Sequence, residues 1–441
     1  MKGANRKEIW AWGLYDFANS PFATTIQAVL FSAYFVEVVA GGEAGVPISL
    51  GGWQLRVPGF TFYTYSLAAA MFLVAVSAPI LGAIADDSGR KKQFLVAFCY
   101  LGVAATGMLY FVHRGQYWRG ALIFIVANIG FSSANVFYNA FLPEISTPRN
   151  IGWISGFGFT LGYLGGSALL AINLVMLAYP GWLGRPGGEF TLQECFLSVA
   201  IWWGLFAVPT FLWLRQRRPP ARALGRGHVR AGLARLVETF RHVRGYSELS
   251  KFLLSFLIYN DGIQTVIFTA GIFGQRVIGM SAVERALYFL VVQMAAFAGA
   301  LMLGAITDRV GNKRTVTLTL LMWSFITIWG YFIGAVYDAR TEFWIIGVLA
   351  GLVLGGSQSA SRALQGTFTP EEKSAEFFAF YGISGKIASV LGPLTYGSIF
   401  AITGNMRSGI LSLVVFFVVG LALLLWVNEE KGIEQAKSTI A

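Results

Sequence analysis

Long apolar runs dominate the sequence, and short polar stretches separate them. A run of about 20 apolar residues is long enough to cross a bilayer as a helix. The chain is therefore predicted to be an all-α polytopic membrane protein with about twelve transmembrane helices in two six-helix bundles. The predicted spans cover roughly residues 9–36, 62–85, 93–112, 119–142, 151–178, 195–214, 250–273, 283–306, 315–336, 343–364, 375–401 and 406–427.

One hydrophilic gap divides these runs into two sets of six. We predict an N-terminal bundle at 1–214, a basic cytoplasmic linker at 215–249, a C-terminal bundle at 250–427 and a cytoplasmic tail at 428–441. Within the linker, apolar residues fall on one helical face opposite many arginines, which predicts an amphipathic helix on the inner leaflet. A docking site for a regulatory partner is the alternative. The apolar residues are Val229, Leu233, Leu236, Phe240 and Val243.

Composition and charge agree with a membrane protein. The chain is 56% hydrophobic and 12% charged, whereas soluble domains carry about 25% charged residues. Its net charge of +11 is explained by basic loops on the inner side of a membrane, so we expect no nucleic-acid partner. The distribution of Lys and Arg places both termini in the cytoplasm, and we expect a bacterial cytoplasmic membrane. The first run is too long for a cleaved signal peptide, so we interpret it as a retained span.

A charged connection occurs twice between apolar runs. It reads GAIADDSGRKK at Gly82–Lys92 and GAITDRVGNKR at Gly304–Arg314. Six residues recur at the same offset, which indicates two halves built on one plan. The copies differ where Asn312 takes the place of Arg90.

Polar residues recur in every third span. These are Asp16 and Asn19 in the first span, Asn128, Ser132, Asn135 and Asn139 in the fourth, Asn260, Asp261 and Gln264 in the seventh, and Ser357, Gln358, Ser361, Arg362 and Gln365 in the tenth. The eleventh span adds Lys386 near its middle. Charges are costly at mid-membrane and usually face a cavity or a partner. The pattern predicts a shared aqueous route, with hydrogen bonding between helices as the alternative.

These motifs resemble a known family. Gly82, Asp86, Gly89, Arg90 and the two lysines that follow fit the G-x-x-x-D-x-x-G-R-K/R-K/R signature of the major facilitator superfamily. Several strings resemble one branch, the autophagy-related vacuolar amino-acid effluxers and their bacterial relatives. The strings are YDFANSPF (15–22), LPEIS (142–146), GFGFTLGYLGG (156–166), YNDGIQT (259–265) and AEFFAFYGISGKIASVLGP (375–393).

The resemblance implies a secondary transporter that moves a small polar solute, with an amino acid favoured, by alternating access. It also implies that the two loops clamp the bundles together on the cytoplasmic side. The residues assigned to this gate are Gly82, Asp86, Gly89, Arg90, Lys91, Gly304, Asp308 and Gly311. We expect a monomer surrounded by membrane lipid.

The candidate solute or coupling residues come from the polar faces of the spans. They are Asp16, Asn19, Asn135, Asn139, Asn260, Asp261, Gln264, Gln358 and Lys386. If Asp261 and Lys386 approach each other, an amino acid could exchange with that ion pair; a permanent structural pair is the alternative. Asp16 lies nearer the cytoplasmic end, where it could serve in gating or proton coupling. Pro21 and Gly262 are candidate sites of helix breaks.

Other classes of function lack their motifs. Gly385-Lys386 does not complete a phosphate-binding loop, no H-E-x-x-H or G-x-S-x-G is present, and the two cysteines, Cys99 and Cys195, have no metal or disulfide spacing. We therefore expect no enzyme, metal or cofactor, with coupling to H⁺ or another ion left open. A non-transporting receptor on the same fold and a lipid or lipophile transporter are the alternatives.

Overall fold

The computed structural model describes residues 5–50, 53–185, 188–217, 246–387 and 391–438. The predicted amphipathic helix of the basic linker falls outside these residues. Within them, eleven helices are long and apolar enough to cross a membrane, and a further helix, Asn312–Tyr331, has 20 residues. The predicted all-α polytopic architecture is confirmed, and the helices lie close to the predicted spans.

The first half of the chain contributes helices α1 to α6. They are α1 Arg6–Val39, α2 Gly59–Ser88, α3 Lys91–Met108, α4 Tyr117–Asn139, α5 Ile151–Ala178 and α6 Leu192–Phe206, which continues as Val208–Trp213. A short helical turn, Leu142–Ile145, lies between α4 and α5. Single 3₁₀ turns lie at Gly42–Ala44, Leu109–Phe111 and Pro180–Leu183.

The second half contributes helices α7 to α12. They are α7 Ser247–Arg276, α8 Ala282–Val310, α9 Asn312–Tyr331, α10 Ala339–Thr367, α11a Ser374–Ile387 with α11b Leu391–Thr403, and α12 Met406–Ser412, which continues as Val414–Leu425. A 3₁₀ turn, Glu371–Lys373, precedes α11a. The tail forms one more helix, α13, at Glu429–Ser438.

A β-hairpin joins α1 to α2, where the sequence analysis placed no element. Strands β1, Val46–Leu50, and β2, Trp53–Val57, pair antiparallel with Val46 opposite Val57. Both strands alternate apolar and polar residues, and two glycines separate them in the sequence, which is a strong hairpin signal. The hairpin therefore has a local sequence signature, which differs from the long apolar runs that predict spans.

Helix α1 departs from α-helical geometry after Pro21. The α-helix Arg6–Pro21 is followed by π-helical turns at Phe22–Val29, an α-helical turn at Leu30–Tyr34 and a second π-helical stretch at Phe35–Val39. Proline lacks the N–H that an α-helix needs, so an irregularity there is expected.

Helix α7, in contrast, continues unbroken through Gly262, and the break predicted there is wrong. A Cβ at this position would lie 2.9 Å from the Phe417 ring and 3.0 Å from Phe416. The glycine therefore allows α12 to approach α7 closely without interrupting the helix.

The buried apolar residues form two main clusters. One is built almost wholly from residues of α1 to α6, and the other from α7 to α12. The halves meet where α5 contacts α8 and α10, and where α2 contacts α11a. Each half thus has its own core, and the interface between the halves is a separate surface.

Helices α8 and α10 form the closest pair in the second half. Gly347, Gly351 and Gly355 of α10 recur every four residues and face α8. A Cβ at Gly351 would lie 2.4 Å from the Val292 carbonyl oxygen, and one at Gly355 would lie 2.1 Å from that of Ala296. Small residues at this spacing let helix backbones approach, so α8 and α10 pack as one unit.

Candidate functional site

The two repeated loops lie on one face of the protein. Lys91 of the first loop bonds Glu144, just after α4, and Asp308 of the second bonds the start of α5, only a few residues further along the chain. We call this side the basic face, after the Arg and Lys residues of the two loops. The other side is the opposite face.

The first loop joins α2 to the second half of the chain. The Asp86 carboxylate accepts the backbone N–H groups of Ala375 at 3.2 Å and Glu376 at 3.0 Å. These amides belong to the first turn of α11a, where a negative charge is stabilised by the helix dipole. One turn earlier in α2, a Cβ at Gly82 would lie 2.7 Å from the Ala375 carbonyl oxygen. The contact thus depends on both a carboxylate and a missing side chain.

Lys91 strengthens the same contact. Its ammonium is buried, forms an ion pair with Glu144, donates to the Ser374 hydroxyl at 2.7 Å and lies 3.9 Å from Asp86. Lys91 thereby ties the first loop both to the end of α4 and to the start of the eleventh span.

The second loop repeats the aspartate contact in the other direction. Asp308, at the end of α8, accepts the N–H groups of Gly152 at 2.8 Å and Trp153 at 3.0 Å, in the first turn of α5. A Cβ at Gly304 would lie 2.9 Å from the Cα of Gly156. In each half, therefore, the aspartate at the end of the second helix caps the fifth helix of the other half.

The remaining predicted gate residues shape the loops. Gly89 and Gly311 adopt φ angles of 62° and 102° directly after α2 and α8, a region that favours glycine. Arg90 donates to Gln93 at 2.8 Å, one turn further along the chain.

Deeper in the protein, Arg362 of α10 enters the first half. Its Nη1 donates to the Asp16 carboxylate at 2.9 Å and to the Asn139 side-chain oxygen at 3.2 Å. Its Nε and Nη2 donate to the hydroxyl and the carbonyl oxygen of Ser155, at 3.1 and 2.7 Å. We call these four residues the Arg362 cluster.

Aromatic rings enclose the Arg362 cluster. The guanidinium carbon lies 3.9 Å from the centre of the Phe159 ring and 4.8 Å from that of Trp12. The Tyr138 hydroxyl donates to Asp16 at 2.8 Å. Arg362 is 2% exposed and Asp16 7%, so each charge is nearly removed from water and depends on the other. Breaking such a buried pair by removing one partner typically costs about 3–5 kcal/mol.

A cavity of about 180 Å³ lies beside the Arg362 cluster. Phe159 both stacks on Arg362 and lines the cavity, and the other lining residues come from α7, α10 and α11a. They are Phe256, Tyr259, Asn260, Ile263, Gln264, Ser357, Gln358, Ser361, Tyr381, Gly382, Gly385 and Lys386. Tyr163 of α5 donates to Gln358 at 2.5 Å, at the edge of this space. The cavity thus lies at the interface between the halves.

The structure separates eight of the nine predicted solute or coupling residues into three groups. Asn260, Gln264, Gln358 and Lys386 line the cavity. Asp16 and Asn139 belong to the Arg362 cluster. Asn19 and Asn135 bond each other at 2.9 Å inside the first half.

Asp261 does not line the cavity, although it was predicted as a solute or coupling residue. Its side chain is fully buried, and its carboxylate accepts the N–H of Gly392 at 2.9 Å, at the start of α11b. Asp261 and Lys386 form no ion pair, although the structure describes both. The hypothesis that the two residues pair is therefore not supported, because Asp261 holds the eleventh span in place and lies outside the cavity lining.

Arg362 is the residue that the sequence reasoning missed. The sequence places Arg362 on the polar face of the tenth span, but Arg362 is not among the candidate solute or coupling residues. A charged residue within a predicted span is a functional candidate by default, so the signal was present.

The described hydrogen bonds between the halves cluster on one side. Within the residues that the structure describes, the hydrogen bonds that cross the interface lie between the basic face and the level of the Tyr163–Gln358 bond, near the middle of the spans. The halves are therefore held together on the basic side of the cavity.

A family model agrees with this architecture. The model described as "Vacuole effluxer Atg22 like" matches residues 4–152 and 149–437. The chain belongs to this Atg22-like family. A Bacillus subtilis relative, "Uncharacterized MFS-type transporter YxiO", is 30% identical to it over 426 residues, which covers 95% of the chain and 94% of the relative. Autophagy-related protein 22 of Yarrowia lipolytica is 24% identical over 475 residues, covering 88% of the chain and 79% of the relative.

Solved structures show the fold of the Atg22-like chain. The proton:xylose symporter XylE aligns with a TM-score of 0.69 at 13% identity, covering 98% of each chain. The human organic anion transporter MFSD10 aligns with a TM-score of 0.70 at 13% identity, covering 95% of this chain and 99% of the other. XylE is described as a major facilitator superfamily protein, and the alignment shows that the chain shares its fold. The family and the fold are those of multi-pass membrane transporters, not of enzymes.

Proposed function

We propose that this Atg22-like chain moves a small polar solute across the membrane by alternating access. The observation that carries the proposal is that the described hydrogen bonds across the interface lie on one side of the cavity. A cavity lies between the two halves, and the contacts made by Asp86, Asp308 and Arg362 close the basic side of it. Opening the cavity to the basic face requires these contacts to break.

Such contacts bias an equilibrium between two states. Because the Arg362–Asp16 pair crosses the interface, it stabilises the state in which the basic side is closed and is lost in the state in which that side is open. Asp16 is the carboxylate of this pair. Because the pair is built on a carboxylate, H⁺ is the first coupling ion to test.

The solute class is proposed on family resemblance and on size. An engineered cavity of about 150 Å³ holds benzene, so a cavity of about 180 Å³ has room for a small amino acid but not for a lipid. The amides of Asn260 and Gln264 offer hydrogen bonds to such a solute. Amino acids are therefore the favoured solutes.

The setting of the protein follows from its charge. We propose that the basic face is cytoplasmic, because Arg90, Lys91, Arg309 and Arg314 lie there. Both termini would then be cytoplasmic, in a bacterial cytoplasmic membrane. The working unit would be a monomer surrounded by lipid.

Flux into proteoliposomes tests this function. The purified chain should show saturable uptake of labelled amino acids, and Arg362→Met should reduce the initial rate by at least about tenfold, because a loss of about 1.4 kcal/mol already has that effect. Arg340→Met is the matched control, since Arg340 is an exposed arginine on the opposite face, paired with Glu284. Binding without flux in the unmodified protein would indicate a receptor. Normal flux in Arg362→Met would remove the Arg362 cluster from the mechanism.

A further inference from the structure

We propose that the cavity recognises its solute through a carboxylate or a similar anionic group held by Lys386, and that an amino group on the solute is not required. The inference rests on the proposed function only in taking this cavity as the solute site. It narrows the solute from small polar molecules in general to small organic anions, amino acids included.

The first support is the position of Lys386. It lies near the end of α11a and lines the cavity together with Asn260 and Gln264. Among the residues that the structure describes, Lys386 has no carboxylate within ion-pair distance. The next four residues in the sequence, 387–390, include no acidic residue. The described residues and the sequence next to Lys386 therefore supply no counter-ion for this ammonium.

The second support is that Asp16 of the first span and Asp261 of the seventh have partners elsewhere. Asp16 is bound by Arg362 and Tyr138. Asp261 is fully buried and caps α11b through Gly392. The cavity lining contains no Asp or Glu, so its formal charge is +1 with Lys386 ionised.

Charge and polarity together define the ligand. An unpaired cation in a poorly hydrated site is costly, and a bound anion removes that cost. An amine would meet Lys386 as a like charge and would find no acid in the lining to hold it. An α-amino acid can still bind through its carboxylate, because the side-chain oxygens of Asn260 and Gln264 can accept bonds from its ammonium.

The side chains that line the cavity also indicate the part of the solute that lies beyond its carboxylate. Phe159, Phe256, Tyr381 and Ile263 supply apolar surface in addition to the polar side chains. Together with the volume, this fits an organic acid with a short apolar tail.

Three matched probes test the inference. Leucine carries both charged groups, 4-methylpentanoate is leucine without the amino group, and isopentylamine is leucine without the carboxylate. We would measure their binding to the purified full chain by thermal shift and calorimetry. We expect both carboxylates to bind, with dissociation constants within about tenfold of each other, and the amine not to bind at concentrations up to about 1 mM. Tight binding of isopentylamine, or failure of both carboxylates, would overturn the proposal, as would leucine binding without 4-methylpentanoate binding.

Variants of Lys386 provide the second arm. Lys386→Met should weaken carboxylate binding by at least about tenfold, and Lys386→Arg should retain part of it, because the arginine keeps the charge but changes the geometry. Lys437→Met, at an exposed lysine of the tail helix, is the control. The melting temperature without ligand shows whether each variant is folded. Unchanged carboxylate binding in folded Lys386→Met would contradict the assignment.

The two proposals fail in different ways. If carboxylates bind through Lys386 but no probe crosses the vesicle membrane, the transport function is wrong and the anion site stands. If amines are transported as fast as acids, the chain is a transporter and the anion site is wrong.

Discussion

The two repeated loops share six residues at matching positions but do not make the same contacts. Asp86 and Asp308 each cap the fifth helix of the other half. The lysines at equivalent positions differ, however. Lys91 reaches across the interface to Ser374, whereas Lys313 donates to the Val427 carbonyl oxygen, after α12 of its own half, at 2.7 Å.

The difference amounts to a shift of one residue. In the first half, the lysine that bonds the end of the last helix is Lys92, which donates to the Leu214 carbonyl oxygen at 2.7 Å. In the second half Lys313 takes this position, and the backbone N–H of Lys313 also bonds Glu429 of α13. No lysine of the second loop remains for the interface position that Lys91 fills. The repeated motif therefore conserves the aspartate cap but not the buried ammonium beside it.

The largest difference in flux should come from replacing Lys91 in one variant and Lys313 in another. Lys91→Met leaves Glu144 without its ammonium partner in a buried site, a change that typically costs about 3–5 kcal/mol. We expect solute flux to fall by about a hundredfold, whereas Lys313→Met should keep nearly normal flux because its contacts do not cross the interface. Initial rates in proteoliposomes measure both.

A double variant separates charge from folding. Lys91→Met with Glu144→Gln removes both charges, so it should recover much of the lost flux. Equal flux in the two single lysine variants would show that the difference between the loops has no functional weight.

The turnover of the two aspartate variants should differ less than the flux of the two lysine variants. A carboxylate at a partly buried helix N-terminus contributes up to about 2 kcal/mol. Asp86 is 2% exposed, whereas Asp308 is partly exposed. We therefore expect Asp86→Ala to slow turnover about tenfold and Asp308→Ala about threefold. Solute binding should change less than turnover in both, because neither residue lines the cavity. A larger loss in Asp308→Ala would reverse the ranking of the two contacts.

The smallest effects should come from the glycines. Gly82→Ala places a methyl group against the backbone of Ala375, and Gly304→Ala places one against the Cα of Gly156. Both should loosen the basic side and raise labelling of a cysteine at Ser374 by a maleimide about threefold. The background would have Cys99 and Cys195 replaced. Gly397→Ala, where nothing lies within 4 Å of the added Cβ, should leave labelling unchanged. Labelling that rises equally in this control would show that the reporter does not sense the interface.

The sequence predicts the spans well because bilayer thickness requires about 20 apolar residues for each helix. The 28-residue helix α5, Ile151–Ala178, matches its predicted bounds. The hairpin Val46–Val57 was missed because its signal is alternation over a few residues, not a long run.

The site was predicted only in part. Asn260, Gln264, Gln358 and Lys386 follow from helical phase, since residues on the polar face of a helix tend to line the same space. The residues that these side chains contact on other helices cannot be derived from helical phase. Depth along α7 places Asp261 near mid-membrane, but only the path of α11b shows that its carboxylate caps Gly392. Likewise, the pairing of Arg362 with Asp16 depends on how the two halves meet, which residue spacing within either half does not encode.

The close packing of α8 and α10 at Gly347, Gly351 and Gly355 has a kinetic consequence. Asp308 ends α8 and Arg362 lies near the end of α10, and both hold the first half of the chain. Because the two helix backbones are in direct contact, we expect α8 and α10 to move together when the basic side opens. The shallow cap and the deep ion pair should therefore break in one cooperative event, with no populated intermediate in which only one of them has been released.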